Sequence, residues 1–161
     1  MKVIGFNKPT GDNGYLSIYY QAPFYQDGLR FETVEQCFLY QKALTFHDEY
    51  RCKKILQTSD SKILNQLIKD IVNYDDKIFS GRRQIVLYQA NLDKFRYNIE
   101  LKNQLLATND AVIALCNKYD LVNGIGLNVD DSRIYKTKNW LGSNLHGFSL
   151  MEVRSTLKKE G

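Results

Sequence analysis

The residue whose type and position could do chemistry is Glu35, which follows Thr33 and Val34 at the predicted start of a helix. The unpaired N–H groups and the macrodipole of a first helical turn favour an ionised carboxylate there. Phe38 and Lys42 follow at i+3 and i+7 and therefore share the helical face of Glu35. A carboxylate beside an aromatic ring, with an ammonium group two turns along, could face a small polar ligand. A glutamate in a first turn usually only completes the helix end, so spacing alone does not make Glu35 catalytic.

Two local signals position this helix. Asp27-Gly28 separates two β-prone triplets, and both residues tolerate the positive φ angles of a two-residue hairpin turn. Thr33 fits a helix N-cap, and Gln36, three residues on, fits the second half of a capping box. The sequence therefore predicts a hairpin over residues 24–31 that leads into a helix beginning near Val34.

A second group of candidate residues lies in or beside a long stretch without regular periodicity, residues 117–142. Long loops in compact domains are more often functional than accidental. Gly124 and Gly126 lack the third glycine and the following helix of a dinucleotide fingerprint, so we reject a Rossmann site. They predict close approach of the backbone to a ligand or to another strand. Asn144, near the start of the last helix, fits either an anion or sugar contact made by backbone N–H groups, or an N-cap with close helix packing.

Hydrophobic periodicity predicts the elements that must carry these residues. Residues 111–116 form a continuous apolar run of strand length, and residues 15–20 are rich in β-prone side chains. The predicted helices cover 34–45, 49–57, 61–70, 75–95, 100–106 and a last segment from Ser143 or Asn144 to Lys158. The predicted fold class is α+β, a helix-rich single domain with a small β-sheet.

Composition limits the classes of protein that the chain can represent. With 161 residues, 43% hydrophobic and 25% charged, it suits one soluble domain over residues 1–161. A net charge of +4 is compatible with phosphate-bearing small molecules and too weak to argue for nucleic acid. Three cysteines without a C-x-x-C pair and two isolated histidines predict a reducing cytoplasm and no metal. We expect no signal peptide at residues 1–9 and no membrane span.

A series of short motifs runs along nearly the whole chain. In the first half they are Gly14-Tyr15-Leu16-Ser17, Ala22-Pro23-Phe24, Asp27-Gly28-Leu29-Arg30-Phe31, Thr33-Val34-Glu35-Gln36 and Gln41-Lys42-Ala43. In the second half they are Lys94-Phe95, Leu105-Leu106-Ala107-Thr108, Asp120, Gly124-Ile125-Gly126-Leu127, Trp140-x-Gly142-x-Asn144-Leu145-x-Gly147 and Leu150-Met151-Glu152-Val153-Arg154. In order and spacing these motifs resemble the NADAR (YbiA-like) family.

The resemblance implies an N-glycosidase with a helix-rich α+β fold and neither metal nor cofactor. Known members resemble hydrolases of base–ribose bonds, acting on ribosylamino-pyrimidine phosphates of riboflavin synthesis or on ADP-ribosylated guanine in nucleic acid. The expected partner is a small-molecule ribosyl or ADP-ribosyl nucleotide, with ADP-ribosylated nucleic acid as the alternative and no membrane. By position, Glu35 corresponds to the catalytic glutamate of the family.

Glycosidic bond cleavage passes through an oxocarbenium-like centre, which a carboxylate such as Glu35 can stabilise while it orients or deprotonates water. Lys42 and Arg30 are candidates for holding phosphate, and Asn144 is a candidate for binding hydroxyls. Asp120 fits either a second acid or a loop cap. The candidates for the base side of the pocket are Phe79, Asn123, Gly124 and Gly126.

Five positions depart from the family pattern: Ile18, Lys69, Phe79, Leu115 and Asn123. Phe79 and Asn123 stand where tryptophan is usual, and an aromatic stacking surface is worth about 1–3 kcal/mol per base. Tyr119 or Tyr135 could supply a replacement ring. Two interpretations stay open: a retuned pocket that still cleaves, and a binding protein that captures an ADP-ribose-like or nucleotide ligand without turnover. Retention of Glu35 favours the first, and an interaction module with a vestigial pocket ranks last.

Overall fold

The computed structural model describes residues 1–161, which divide into two compact units. We call residues 21–98 the central unit, and residues 1–20 together with 99–161 the terminal unit. The strands are β1 (Val3–Phe6), β2 (Phe24–Gln26), β3 (Leu29–Phe31) and β4 (Val112–Leu115). The helices are α1 (Val34–Thr45), α2 (Glu49–Ile55), α3 (Ser61–Leu67), α4 (Asp76–Tyr97), α5 (Ile99–Ala107) and α6 (Leu145–Glu160). The helix-rich α+β class is confirmed, whereas a single domain over residues 1–161 stays a prediction.

The central unit opens with the predicted hairpin. β2 and β3 pair antiparallel, with Phe24 opposite Phe31. Asp27 and Gly28 form the turn with φ angles of 51° and 78°, as a two-residue turn with two positive φ angles requires. Both Phe24 and Phe31 are fully buried, so the hairpin is anchored by one apolar face and enters α1 in a fixed direction.

The start of α1 is fixed by a cap and by a longer bridge. The Thr33 side chain accepts a hydrogen bond from the Gln36 N–H at 3.1 Å, which confirms the predicted N-cap. The second half of the capping box differs, because Gln36 Oε1 accepts from the Glu32 N–H at 2.7 Å and not from Thr33. Gln36 Nε2 donates to the carbonyls of Ile55 at 2.9 Å and Thr58 at 2.8 Å. One buried side chain thereby ties the start of α1 to the segment that precedes α3.

The four helices of the central unit share a hydrophobic core. α1 packs against α2, α3 and α4. The buried members of this core are Leu39, Ala43, Phe46, Cys52, Ile55, Leu64, Ile71 and Phe79. Because Leu39 and Ala43 lie on the face of α1 turned to this core, Glu35 is carried on a helix held from several sides.

The terminal unit is built on a parallel pair of strands that the sequence only half predicted. β4 lies within the predicted run 111–116, and it pairs with β1, which the sequence analysis missed, with Val3 opposite Val112. The predicted strand character of residues 15–20 is wrong. Residues Gly14–Leu16 form a short 3₁₀ helix, and the Ser17 N–H donates to the Gly14 carbonyl at 3.0 Å. A Cβ on Gly14 would collide with the backbone of Pro9, so close packing of the chain overrides β propensity here.

The remaining boundaries shift by a few residues, as helix ends commonly do. α2 and α3 end at Ile55 and Leu67, earlier than predicted, whereas α4 continues to Tyr97. Residues 117–142 carry no strand and no α-helix, only two short 3₁₀ turns, in agreement with the predicted loop region. No helix is both long and apolar enough to cross a membrane.

Candidate active site

Glu35 lies in the first turn of α1 with 5% of its surface exposed. Its Oε1 accepts a hydrogen bond from Ser61 Oγ at 2.6 Å. Ser61 is the first residue of α3, and Asp60 caps that helix by accepting from the N–H groups of Lys62 and Ile63. The carboxylate is therefore held where two helices begin, by a bond between residues that are 26 positions apart in the chain.

The environment of Glu35 raises the pKa of its carboxyl group. Burial is the largest cause, the Ser61 hydrogen bond opposes it, and the negative charge of Asp60 adds to the increase. A carboxylate with an elevated pKa is a stronger base once ionised, which suits a group that deprotonates water. The sequence located this residue, but its serine partner carried no signal in the sequence.

Asp48 is the other buried carboxylate of the central unit, and its pKa is shifted in the direction opposite to that of Glu35. It accepts hydrogen bonds from the Arg51 and Val72 N–H groups and pairs with the Arg51 guanidinium at 2.9 Å. Burial opposes ionisation, but these bonds hold the pKa of Asp48 below its usual value. Its hydrogen bonds fix the α1–α2 connection, so Asp48 has a structural role, whereas Glu35 has one side-chain partner.

Lys42 lies two turns after Glu35 on α1 and is half-buried. Its ammonium nitrogen is 4.9 Å from the centroid of the Tyr74 ring and 5.3 Å from that of Phe79. Burial lowers the pKa of Lys42, and the nearby positive charge of Arg83 lowers it further, whereas Asp76 acts in the opposite direction. The predicted alignment of carboxylate, aromatic and ammonium groups along α1 is therefore accompanied by a second cation from α4.

Phe79 is buried, with 2% of its surface exposed. Its ring meets the Phe38 ring edge to face at 5.4 Å, and Lys42 lies over its face. The role of Phe79 as a stacking surface for a base stays a prediction, and in this structure its ring supports Lys42. Arg83, which the sequence analysis did not single out, lies one turn further along α4 with its guanidinium 6.0 Å from the Phe38 ring. The i+4 spacing from Phe79 is the only sequence signal that could have indicated it.

Arg30 occupies the exposed side of β3. Its Nε donates to Glu32 Oε1 at 2.8 Å, in an ion pair whose two side chains are 53% and 36% exposed. The guanidinium is thus paired with Glu32 and not with Glu35, and a phosphate-binding role for Arg30 stays a prediction.

In the terminal unit, the predicted loop residues bond to and pack against other residues of the loop. Asp120 Oδ1 accepts from the N–H groups of Val122 at 3.0 Å and Asn123 at 2.8 Å, which is the loop-capping alternative. A side chain at position 124 would be crowded, because a Cβ on Gly124 would press on the carbonyls of Asp120 and Leu115. Gly126 has a φ of 73°, and a Cβ on it would meet Leu121 and Leu141. These glycines permit close approach of the backbone to protein atoms, which is the second of the two interpretations given to them.

Asn144 is fully buried, and both ends of its side-chain amide bond β4. Its Oδ1 accepts from the Leu115 N–H at 3.0 Å, and its Nδ2 donates to the Ile113 carbonyl at 2.8 Å. The next two N–H groups, of Leu145 and His146, donate to the Val122 and Asn123 carbonyls at 3.1 Å. The backbone donors that an anion would need are thus already used, and the close-packing alternative describes this helix start. Hydroxyl binding by Asn144 stays a prediction without support from these bonds.

The side chains that commonly bind metals, those of His, Cys, Asp and Glu, are not clustered. No group of three or more His, Cys, Asp or Glu side chains is arranged to hold a metal ion, and Cys37, Cys52 and Cys116 are all free and buried.

Comparison with known proteins extends the resemblance found in the motifs. The family model described as NADAR domain matches residues 5–158. The NMR structure of the E. coli protein YbiA aligns with a TM-score of 0.80 at 27% identity, covering 99% of this chain and 86% of that one. The fold is therefore that of YbiA.

Two relatives give further sequence matches. The protein irg-1 of Caenorhabditis elegans is 31% identical over 131 residues, which make up 80% of this chain and 62% of that protein. This chain thus spans less than two thirds of the length of irg-1. N-glycosidase R617 of Acanthamoeba polyphaga mimivirus is 30% identical over 122 residues, or 76% of this chain and 72% of that protein. Since the family model covers almost the whole sequence, the chain belongs to the NADAR domain family.

Proposed function

We propose that this protein is an N-glycosidase that hydrolyses the bond between a base and the ribose of a phosphorylated riboside, with Glu35 as its catalytic carboxylate. The observation that carries the proposal is the buried Glu35 carboxylate with an elevated pKa and a single side-chain hydrogen bond, from Ser61. The similarity to a protein named N-glycosidase supports the same reaction class. Three substrates fit it: a ribosylamino-pyrimidine phosphate, an ADP-ribose-type nucleotide, and ADP-ribosylated guanine in nucleic acid.

In the proposed reaction the bond between the ribose anomeric carbon and the base nitrogen breaks, and the base departs with the bonding electrons. The anomeric carbon acquires oxocarbenium character, which the negative charge of Glu35 stabilises. A water molecule adds to this carbon and transfers a proton to the Glu35 carboxylate, which later releases it. The released base takes up a proton, so the products are a free sugar phosphate and a neutral base.

The remaining roles follow from this assignment. Lys42 holds the phosphate, and Ser61 positions the Glu35 carboxylate and limits the increase of its pKa. Phe79, Arg30, Asp120, Asn123, Gly124, Gly126 and Asn144 stay as predicted contributors to substrate binding. We also propose that the protein acts in the cytoplasm, a reducing compartment in which its three free cysteines would stay unpaired.

Base release measured by mass spectrometry tests the proposal. Wild-type protein and the Glu35→Gln variant are incubated separately with a ribosylamino-pyrimidine phosphate, with ADP-ribose-type nucleotides and with ADP-ribosylated guanine oligonucleotides. Removing the charge of Glu35 while keeping its shape is expected to lower the rate by at least about a hundredfold, because general-base and charge stabilisation are both lost. The folded state is expected to persist, because the amide still accepts from Ser61.

The matched control is Glu49→Gln, since Glu49 also lies in a first helical turn but is exposed. This variant is expected to cleave at the wild-type rate. Equal rates for Glu35→Gln and wild type would refute the assignment of Glu35. Ligand binding by both proteins without any release of base would favour the alternative, a binding protein that captures a nucleotide without turnover.

A further inference from the structure

Two cations of the central unit lie on one aromatic platform. Lys42 from α1 contacts the rings of Tyr74 and Phe79, and Arg83 from α4 contacts the ring of Phe38. The Phe38 and Phe79 rings touch edge to face, so the platform is continuous. The two cations are close enough for Arg83 to act on the charge state of Lys42. Like charges repel, so this arrangement alone opposes folding.

Neither cation is neutralised by a salt bridge. Ion pairs elsewhere in the protein involve Arg30, Arg51 and Arg133, and none of them includes Lys42 or Arg83. Asp76, whose charge acts on Lys42, accepts a hydrogen bond from the Tyr74 hydroxyl at 2.8 Å. The Nε–H of Arg83 is buried without a hydrogen-bond partner. A buried donor without a partner lowers stability, and most such groups in native proteins are satisfied.

From this cluster we infer that Lys42 and Arg83 together form the binding site for the phosphate group of the substrate. The inference rests on the proposed function and adds Arg83 to the site. A phosphate oxygen would accept from the unpartnered Arg83 Nε–H, and the planar guanidinium offers a second donor in the same plane. Lys42 would act as a point charge on the same group. A phosphate dianion between them would also replace their mutual repulsion with attraction.

The position of this site relative to Glu35 determines how a bound substrate would be oriented. Lys42 follows Glu35 by seven positions in α1, which corresponds to a rise of about 10.5 Å between their backbones. Both side chains start from the same helical face and lean towards its N-terminus. A ribose with its 5′-phosphate at Lys42 and Arg83 would present its anomeric carbon towards Glu35. The protein should therefore select phosphorylated ribosides over the corresponding ribosides.

A purely structural role for Arg83 makes a different prediction. If the guanidinium only packs on Phe38, its removal would lower the stability of the folded state through the loss of the cation–π attraction. Binding of a phosphorylated sugar would then be unaffected. Measurements of binding and of unfolding on the same variants separate the two explanations.

The experiment compares wild type with Arg83→Gln, Arg83→Lys and Arg82→Gln. Arg82 is the neighbouring arginine on α4 and is exposed, so its replacement matches the charge change without touching the platform. Binding of ribose 5-phosphate, of ADP-ribose and of unphosphorylated ribose is measured by calorimetry. Base release is measured on a ribosylamino-pyrimidine with and without its 5′-phosphate.

We expect Arg83→Gln to weaken binding of ribose 5-phosphate or ADP-ribose by about tenfold to a hundredfold, as for hydrogen bonds to charged groups. Arg83→Lys should lose part of this affinity, because it keeps the charge but not the planar donors. Arg82→Gln should bind as wild type does. For base release by Arg83→Gln, the KM of the phosphorylated substrate should rise while kcat stays nearly the same. The kinetic constants of the unphosphorylated substrate should change little.

Equal binding by wild type and Arg83→Gln, or no binding of either phosphorylated probe to wild type, would overturn the inference. Loss of probe binding in Arg83→Gln supports the phosphate site even if wild type releases no base. The failure of the glycosidase proposal is therefore distinguishable from the failure of the phosphate site.

Discussion

In the central unit, Glu35 and Arg83 have few hydrogen-bond partners within the protein. In the terminal unit, the polar groups at the start of α6 are bonded to other groups of the protein. Glu35 accepts one side-chain hydrogen bond, and Arg83 keeps a buried Nε–H without a partner. Asn144, by contrast, uses both ends of its amide on β4. Both regions contain residue types that suit ligand binding, but the Arg83 Nε–H has no protein partner, whereas both ends of the Asn144 amide are bonded to β4.

The difference shows what a motif of glycines and asparagines does in this protein. The carbonyls of residues 121–124 receive the N–H groups of Ser143, Asn144, Leu145 and His146. A glycine-containing loop and a helix start thus satisfy each other, and the helix dipole meets carbonyl oxygens. Ligand binding needs polar groups that the fold leaves unsatisfied, and the Arg83 Nε–H beside the aromatic platform is one such group.

The largest effect that would test this comparison is steric. Gly147 lies in α6, and a Cβ on it would collide with the Ile113 carbonyl and the Asn144 side chain. Gly147→Ala is therefore expected to lower the free energy of unfolding by about 3 kcal/mol, measured by urea denaturation, since the colliding atoms are held by β4. Gly81→Ala is the control, because no atom lies within 4 Å of its added Cβ. That change in α4 should raise stability by about 0.5–1 kcal/mol. Similar results for both variants would contradict the packing described for Gly147.

Asn144→Ala comes next in expected size. It leaves the Leu115 N–H and the Ile113 carbonyl without partners and places alanine at a φ of 52°. We expect a loss of about 2 kcal/mol in the free energy of unfolding, measured by urea denaturation. Asn109→Ala is matched to it, because Asn109 also has a φ of 52° but is exposed. If Asn144→Ala were no less stable than Asn109→Ala, the bonds to β4 would not be its main role.

Ser61→Ala should give the smallest of these changes and act on rate and not on folding. The Ser61 hydrogen bond lowers the pKa of Glu35, so its removal should raise that pKa further above its ordinary value. In the proposed reaction the ionised carboxylate is the active form, so the acidic limb of the pH–rate profile should move to higher pH. Within the acidic limb the rate should then fall by about tenfold, consistent with the loss of one hydrogen bond to a charged group.

The control for this change is Ser80→Ala, an exposed serine on α4. Its pH–rate profile should coincide with that of wild type. An acidic limb that does not move in Ser61→Ala, or that moves to lower pH, would show that the carboxylate held by Ser61 is not the one that titrates in the reaction.

Much of the fold could be predicted because its signals are local. The Asp27-Gly28 turn, the Thr33 cap and the buried run that became β4 each depend on side chains close in the sequence. β1 was missed because a short parallel strand is defined by a partner more than a hundred residues away, with Val3 opposite Val112. Residues 15–20 were assigned the wrong structure because tertiary contacts of Gly14 outweigh β propensity.

In the candidate site, too, local features could be predicted from the sequence and contacts between separate elements could not. The sequence by itself determined that Glu35 and Lys42 share a face of α1, since helical periodicity fixes which side chains are neighbours. Only the tertiary structure decided that Ser61 donates to Glu35, that Gln36 bridges to Ile55 and Thr58, and that Arg83 shares an aromatic platform with Lys42. These contacts join separate helices. They depend on how the helices pack, and packing is set by the whole hydrophobic core, which no short stretch of sequence encodes.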